Sequence, residues 1–145
     1  DKSAPDVHVI FGYLQIGKIL QVNANTLVPD WMKHHPHVKN EDRKKISTNT
    51  IYVARERLTW NREMAGAGTF KFQEDLVLTK NGLSRSKWGL PEFFRQISIS
   101  RHSEKSWREC YFKSADIGQE FVIKDNPLAE NWSKNLVQKS QPIPT

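Results

Sequence analysis

The most regular pattern in the chain is a run of apolar residues near its beginning. Residues 7–20 are mostly β-branched, aromatic or leucine, and both of their alternating faces are apolar. A strand of this kind lies in the centre of a sheet, or in a barrel wall that a helix covers. We therefore expect one strand over residues 7–20, buried on both faces, in which Gly12 and Gly17 mark a bulge, a bend or a close approach.

Shorter patterns divide the rest of the chain. Further strands or extended pieces are expected at residues 50–54, 70–72, 76–79, 97–101, 107–113 and 120–123. Turns are expected at the Gly-Ala-Gly of residues 66–68 and at the Asn-Gly of residues 81–82, a dipeptide typical of tight turns. Residues 41–49 are polar and charged, which indicates a loop.

Proline marks the expected helices. Residues 29–34 and 91–96 each open with proline, which favours a short helical turn, and the His-Pro of residues 35–36 is expected to end the first. The Asn-Pro of residues 126–127 is a helix-capping pair, and apolar residues follow it at helical spacing. Together these elements predict an α+β fold, with a mostly antiparallel curved sheet or partly closed barrel, a few short helices and a C-terminal helix.

The distribution of charge adds a possible partner. The chain has 22 Lys and Arg against 16 Asp and Glu, a net charge of +6 and a pI near 9.5. The excess lies in residues 39–62 and 85–113, each with seven basic and three acidic residues. If the fold brings these segments together, they form a positive face suited to a polyanion such as nucleic acid. A solvated surface that only keeps the protein soluble is the alternative.

The length of 145 residues is that of one ordinary domain. We expect a disordered leader over residues 1–5, a single α+β domain over residues 6–137 and a flexible tail over residues 138–145. The one cysteine, Cys110, excludes a disulfide framework and a cysteine-based zinc cluster, and it favours a cytoplasmic location. No apolar run reaches the ~18 residues of a membrane-spanning helix, so no membrane partner is expected.

Three histidines around Pro36 are the first candidates for chemistry. Such a cluster can hold zinc, copper or nickel, but adjacent side chains point apart. No acidic residue or cysteine stands within three residues of His34, His35 or His37, so no metal site is predicted. The imidazole of His35 or His37 is a candidate for ligand contact or proton transfer. The alternative is that one ring packs and the others face solvent.

The segment after the Asn-Gly turn is the most specific local pattern. Ser84, Arg85, Ser86 and Lys87 place two hydroxyls and two cations within four residues, a set that can ligate phosphate oxygens. Trp88 follows them and can stack on a nucleobase. The alternative is an exposed basic hairpin end with Trp88 packed into the core.

The Gly-Gln-Glu-Phe stretch at residues 118–121 is the third candidate. Gln119 can read a base edge, because its amide both donates and accepts. Glu120 can act as a general base if it is partly buried. The alternative is a turn that enters a strand.

The ordered set of these segments resembles a known family, the third of the nucleotide-modification-associated domains of bacteria and phages. The resemblance runs from about residue 6 to residue 136. It rests on DVHVIFGYLQIG at 6–17, HPH at 35–37, NTIYVA at 49–54, GAGTF at 66–70, LTKNGLSRSKWGLP at 78–91 and GQEFV at 118–122. It implies a link to DNA or nucleotide modification, without an established reaction or assigned catalytic residues. Since members of the family carry an additional N-terminal half, it also implies that this chain matches the C-terminal half of the pattern.

Three functions are compatible with these observations. The first is a nucleotide- or nucleic-acid-binding module of DNA-modification systems, with phosphate ligands at residues 84–87. Its base and sugar contacts would be Trp88 or Trp60, His35, His37 and Gln119. The second is an enzyme acting on a nucleobase or nucleotide, with His35 or His37 and Glu120 as acid–base residues. The third is a structural fragment of a larger protein. No cofactor is expected, and an exposed sheet edge is a candidate for pairing with a second copy of the chain.

Overall fold

The computed structural model describes residues 5–115 and 121–140, which fall into two compact units. The hairpin unit is Tyr13–Gly68. The aromatic unit consists of the described residues before and after it, 5–12, 69–115 and 121–140.

Short strands and helices alternate along the described residues. The strands are β1 (Gly12–Leu14), β2 (Ile16–Gln21), β3 (Thr50–Ala54), β4 (Ala67–Thr69), β5 (Lys87–Trp88) and β6 (Phe112–Lys113). The α-helices are α1 (Pro36–Lys39), α2 (Glu41–Lys44) and α3 (Pro127–Lys139), and 3₁₀ turns cover Asp30–Met32, Glu74–Leu76, Glu92–Gln96 and Glu104–Ser106. The predicted α+β class, with short antiparallel strands, is confirmed. Within the described residues the strands form three two-stranded sheets, β1–β4, β2–β3 and β5–β6, rather than a closed barrel.

The prediction of one buried strand over residues 7–20 is wrong. The apolar run is interrupted at Gln15, because β1 pairs with β4 whereas β2 pairs with β3. Gln15 is fixed at this change of partner by Thr59: its Nε2 donates to Thr59 Oγ1 and its Oε1 accepts from the Thr59 N–H, both at 2.8 Å. The prediction that both faces of this run are buried is also wrong. Its exposed apolar side chains include Val7, Phe11, Leu14, Ile16 and Ile19.

Two glycines allow close approach to Arg55. The β2–β3 register shifts between Ile16 and Lys18, and a Cβ on Gly17 would lie 3.0 Å from the Arg55 backbone, so the predicted bulge is confirmed. A Cβ on Gly66 would collide with the Arg55 carbonyl. The Gly-Ala-Gly stretch is therefore not the predicted turn, because Gly66 passes against Arg55 and β4 begins immediately after it.

Two short helices, α1 and α2, occupy residues 36–39 and 41–44, where a helix end and a loop were predicted. The predicted first helical turn, Asp30–Met32, does end before His35-Pro36. Pro36 also begins α1, because a first-turn proline lacks only an N–H that would have no intrahelical partner. His35 caps this helix, with its Nδ1 accepting from the His37 N–H at 3.2 Å. Asn40 caps α2 with its side-chain oxygen, which makes a helical turn of the charged residues that follow.

The core of the hairpin unit is small and lies on one side of the β2–β3 sheet. Its buried residues are Val22, Met32 and Ile51, with Leu20, Val28, Val38 and Val53 packed against them. Strand β3 has the predicted bounds. Asn49, just before it, is buried, and its Nδ2 donates to the carbonyls of Val22 at 2.8 Å and His37 at 3.1 Å. This amide joins the start of β3 to helix α1.

Helix α3 confirms the predicted C-terminal helix. The Asn126 side-chain oxygen accepts from the N–H groups of Leu128 at 3.0 Å and Ala129 at 3.2 Å, as an N-cap should. Trp132 packs edge-on against the buried Phe94, with ring centroids 5.3 Å apart. None of the described helices is long and apolar enough to cross a membrane.

The strands predicted at residues 97–101 and 107–113 are much shorter than expected. Only β6 is a regular strand here, while Ile99 bridges Ile123 and Trp107 bridges Phe112 as isolated pairs. The 3₁₀ turn Glu104–Ser106 interrupts the extended backbone. Residues 97–107 consequently form loops and a 3₁₀ turn that line two cavities.

Candidate functional site

Three short extended segments of the aromatic unit, around residues 79–80, 87–88 and 112–113, lie side by side. The side chains on their two faces differ in chemistry. Thr79 bridges Trp88, and Trp88 pairs with Phe112. Residues directly opposite each other in antiparallel strands share a face, and their neighbours along the strand lie on the other face. The adjacent residues of the three segments therefore form a row on the opposite face, which we call the lysine row: Lys80, Lys87 and Lys113.

The lysine row is a line of like charges. Lys87 lies directly opposite Lys113, and the Lys80 backbone N–H donates to the Lys87 carbonyl at 2.8 Å. Lys80 Nζ also donates to the Cys110 carbonyl at 2.6 Å, and Lys87 Nζ lies 5.3 Å from the centre of the Tyr111 ring. Among the described residues, no carboxylate pairs with any of the three ammonium groups. Because like charges directly opposite destabilise a sheet, this face would be stabilised by a bound anion.

The opposite face of these strands is packed. Trp88 Nε1 donates to His8 Nδ1 at 2.9 Å. Its ring centroid lies 5.8 Å from that of Phe121 and 6.3 Å from that of Phe112. Phe112 is fully buried. Trp88 therefore has packing partners and a bonded indole N–H within the core of the aromatic unit.

The predicted phosphate-binding segment is divided between these two environments. Ser84 and Arg85 are exposed, and Lys87 belongs to the lysine row. Ser86 is buried, and Trp88, two residues further along the chain, is partly buried on the same side of the segment. The segment thus presents two cations and one hydroxyl outward, while Ser86 and Trp88 serve the packing of the unit.

A cavity of about 440 Å³, which we call the aromatic pocket, lies in the same unit. Its lining includes aromatic, aliphatic and polar side chains: Trp107, Phe112, Ile97, Ile99, His102 and Arg95. The Arg95 guanidinium stacks 4.8 Å from the centre of the Trp107 ring and bonds Glu92 and the Arg108 carbonyl, each at 2.7 Å. Because Arg95 is held on several sides, it acts as a rigid wall of the pocket and orients Trp107.

A second cavity of about 260 Å³, the basic pocket, shares His102 with the first. Three cations and two hydroxyls line it: Arg101, Lys105, Lys113, Ser106 and Ser114. Lys113 is also the end of the lysine row. Arg101 has a φ of 57°, in the left-handed region that residues other than glycine seldom adopt. Backbone strain of this kind concentrates at ligand-binding and active sites.

His102 stands where the two pockets meet. Its Nδ1 lies 2.8 Å from the Ser100 carbonyl, and since a carbonyl only accepts, Nδ1 carries the proton. In the neutral ring Nε2 is then an acceptor, and it is buried without a hydrogen-bond partner among the described residues. Buried polar atoms are normally paired, so this acceptor marks a position at which a ligand could donate a hydrogen bond.

The other predicted site residues are not brought into this arrangement. His35 and His37 lie in the hairpin unit with ring centroids 5.3 Å apart, and His37 Nε2 lies 3.2 Å from Arg43 Nη1. The described part of the chain contains no group of three or more His, Cys, Asp or Glu side chains that could hold a metal ion. Gln119 and Glu120 lie outside the described residues, so their roles, including the pairing of Glu120 with a histidine, stay predictions.

The pocket residues Arg101, His102, Lys105 and Trp107 are absent from the site that the sequence predicts. Their signal is the Arg-His-Ser-Glu-Lys-Ser-Trp run at residues 101–107, inside the second basic segment. This run offers cations, hydroxyls, an imidazole and an indole, the same kinds of group as residues 84–88. Composition therefore marks both segments equally, and only the fold distinguishes them.

One comparison with known proteins finds a match, to a family model. The family model described as nucleotide modification associated domain 3 matches residues 1–124, which include both pockets and the lysine row. No curated protein and no solved structure matches the chain.

Proposed function

The chain belongs to the nucleotide modification associated domain 3 family, and from this membership and the two pockets we propose that it is a nucleotide-binding module of nucleic-acid modification systems. The base occupies the aromatic pocket and the phosphate occupies the basic pocket. The observation that carries the proposal is that two cavities of matching chemistry share His102.

The aromatic pocket fits a nucleobase in size and chemistry. Its volume of about 440 Å³ falls within the range of small-molecule sites. Trp107, which is partly exposed and is backed by the buried Phe112 ring, offers apolar surface to a planar ring, and every base has a π-face that stacks on aromatic side chains. His102 Nε2 accepts a hydrogen bond from an exocyclic amine or a sugar hydroxyl, which would satisfy the buried atom.

The basic pocket fits a phosphate group. Arg101 offers a planar fork to two phosphate oxygens, whereas Lys105 and Lys113 act as point charges. The hydroxyl of Ser106 adds a neutral donor at the same cavity, whereas that of Ser114 donates to the Ala115 carbonyl at 3.2 Å. No acidic side chain lines this pocket among the described residues, so the local field favours an anion.

Calorimetric titration with a panel of nucleoside 5′-monophosphates tests the proposal. We expect Lys105→Gln to weaken binding at least about tenfold, because a charged hydrogen bond contributes about 1.5–3 kcal/mol. Lys71→Gln is the matched control, since Lys71 is an exposed lysine of the same unit that lines neither pocket. The proposal fails if no monophosphate binds, or if both variants bind as the parent does.

A further inference from the structure

We propose that the nucleotide in the two pockets belongs to a single-stranded polynucleotide whose adjoining phosphates lie along the lysine row. This inference rests on the proposed function and names its ligand as a polymer rather than a free nucleotide. The juxtaposition that carries it is Lys113, which lines the basic pocket and also ends the lysine row.

The register of the strands sets the length of the lysine row. Lys80, Lys87 and Lys113 stand on three neighbouring segments, and adjacent strands lie about 4.8 Å apart. The row therefore extends about 10 Å from the basic pocket, farther than the phosphate of one bound mononucleotide reaches. A free mononucleotide, with its phosphate in the basic pocket, would leave Lys80 and Lys87 without an anionic partner.

The arrangement of charge favours a chain of phosphates over an acidic protein segment. Each lysine stands directly opposite the next, and no described carboxylate pairs with them. Tyr111 lies beside Lys87 on the same face, two residues from Lys113, and presents a ring on which a neighbouring base can stack. Basic groups with an interleaved aromatic ring are the general recognition mode for single strands.

The enclosed base explains why the polymer is single-stranded. A base enclosed in the aromatic pocket against Trp107 has left the stack of its neighbours, which costs unpairing energy in a duplex but little in a single strand. A duplex could reach the same pocket only by flipping the nucleotide out. Single strands are therefore expected to bind more tightly than duplexes of the same sequence.

Fluorescence anisotropy with a labelled 12-nucleotide DNA, run as a single strand and as a duplex, tests this inference beside the monophosphate titration. The variant is Lys80→Gln combined with Lys87→Gln, and the control is Lys71→Gln. We expect the double variant to bind the single strand at least about tenfold more weakly and to reduce the salt slope by roughly 1.4, since each phosphate contact contributes ~0.7. Its affinity for the monophosphate should be unchanged, because neither residue lines a pocket.

The outcomes separate the two proposals. If the monophosphate binds but the double variant retains the affinity and salt slope of the parent for the single strand, binding of phosphates along the lysine row is refuted and the nucleotide site stands. Equal binding of the duplex also refutes the single-stranded ligand. If neither the monophosphate nor the oligonucleotide binds, the proposed function itself fails. A thermal melt of the double variant checks folding, and its midpoint should stay close to that of the parent, because the removal of opposed like charges offsets the lost contacts of Lys80 with Cys110 and of Lys87 with Tyr111.

Discussion

The β5–β6 sheet of the aromatic unit and the β2–β3 sheet of the hairpin unit are both two-stranded and antiparallel, yet their exposed faces differ in chemistry. On β5–β6 the packed face carries Trp88 and Phe112, and the other face carries lysine opposite lysine. On β2–β3 the pair that faces away from the core is Ile19 and Tyr52, directly opposite each other and 61% and 56% exposed. One sheet thus presents charge to solvent, whereas the other presents apolar surface.

This difference shows that burial pattern alone does not identify the binding face. Apolar exposure on β2–β3 marks surface suited to covering by another apolar surface. Opposed cations on β5–β6 mark a surface that an anion would stabilise. The proposed ligand contacts therefore belong to the aromatic unit, where the charged face and the two pockets share Lys113.

The largest expected effect comes from removing the ring that supports both the packed face and the aromatic pocket. Phe112→Ala should lower the free energy of unfolding by about 3–5 kcal/mol, because Phe112 is fully buried and its loss leaves a cavity. Tyr52→Ala is the aromatic control on the exposed face of β2–β3, and we expect a change below about 1 kcal/mol. Urea denaturation measures both, and equal losses would remove the contrast between the two faces.

A smaller effect is expected from reversing one charge in the lysine row. Lys87→Glu places a carboxylate opposite Lys113 and should raise the free energy of unfolding by about 0.2–1 kcal/mol. Lys71→Glu, made at an exposed lysine outside the row, controls for the change in net charge. Thermal melts at low salt compare the two variants. If Lys87→Glu gives no more stability than the control, the lysines of the row do not repel each other appreciably.

The sequence correctly predicts an element where the residues that stabilise it lie within the element itself. Helix α3 follows from the Asn-Pro cap and helical spacing, and β3 follows from its β-branched and aromatic residues. The run at residues 7–20 shows the limit, because its change of partner at Gln15 depends on Thr59 and Arg55, which are distant in sequence. Apolar alternation indicates a strand but not the strand with which it pairs.

The candidate site was partly predictable for the same reason. The sequence identifies Arg85 and Lys87 as phosphate-binding candidates, but only the strand register shows that Lys87 stands between two further lysines and that Trp88 points into the core. The pockets around His102 depend on the left-handed backbone at Arg101, which no feature of an arginine predicts.

The most direct test of the account is to observe which indole responds to a nucleotide. Five tryptophans give separate indole N–H signals in an NMR spectrum, and Trp→Phe variants assign them. On titration with a nucleoside 5′-monophosphate, we expect the Trp107 signal to shift while that of Trp31, an exposed residue of the hairpin unit, stays in place. A spectrum in which Trp107 does not move, or in which Trp31 moves instead, would contradict nucleotide binding at the two pockets.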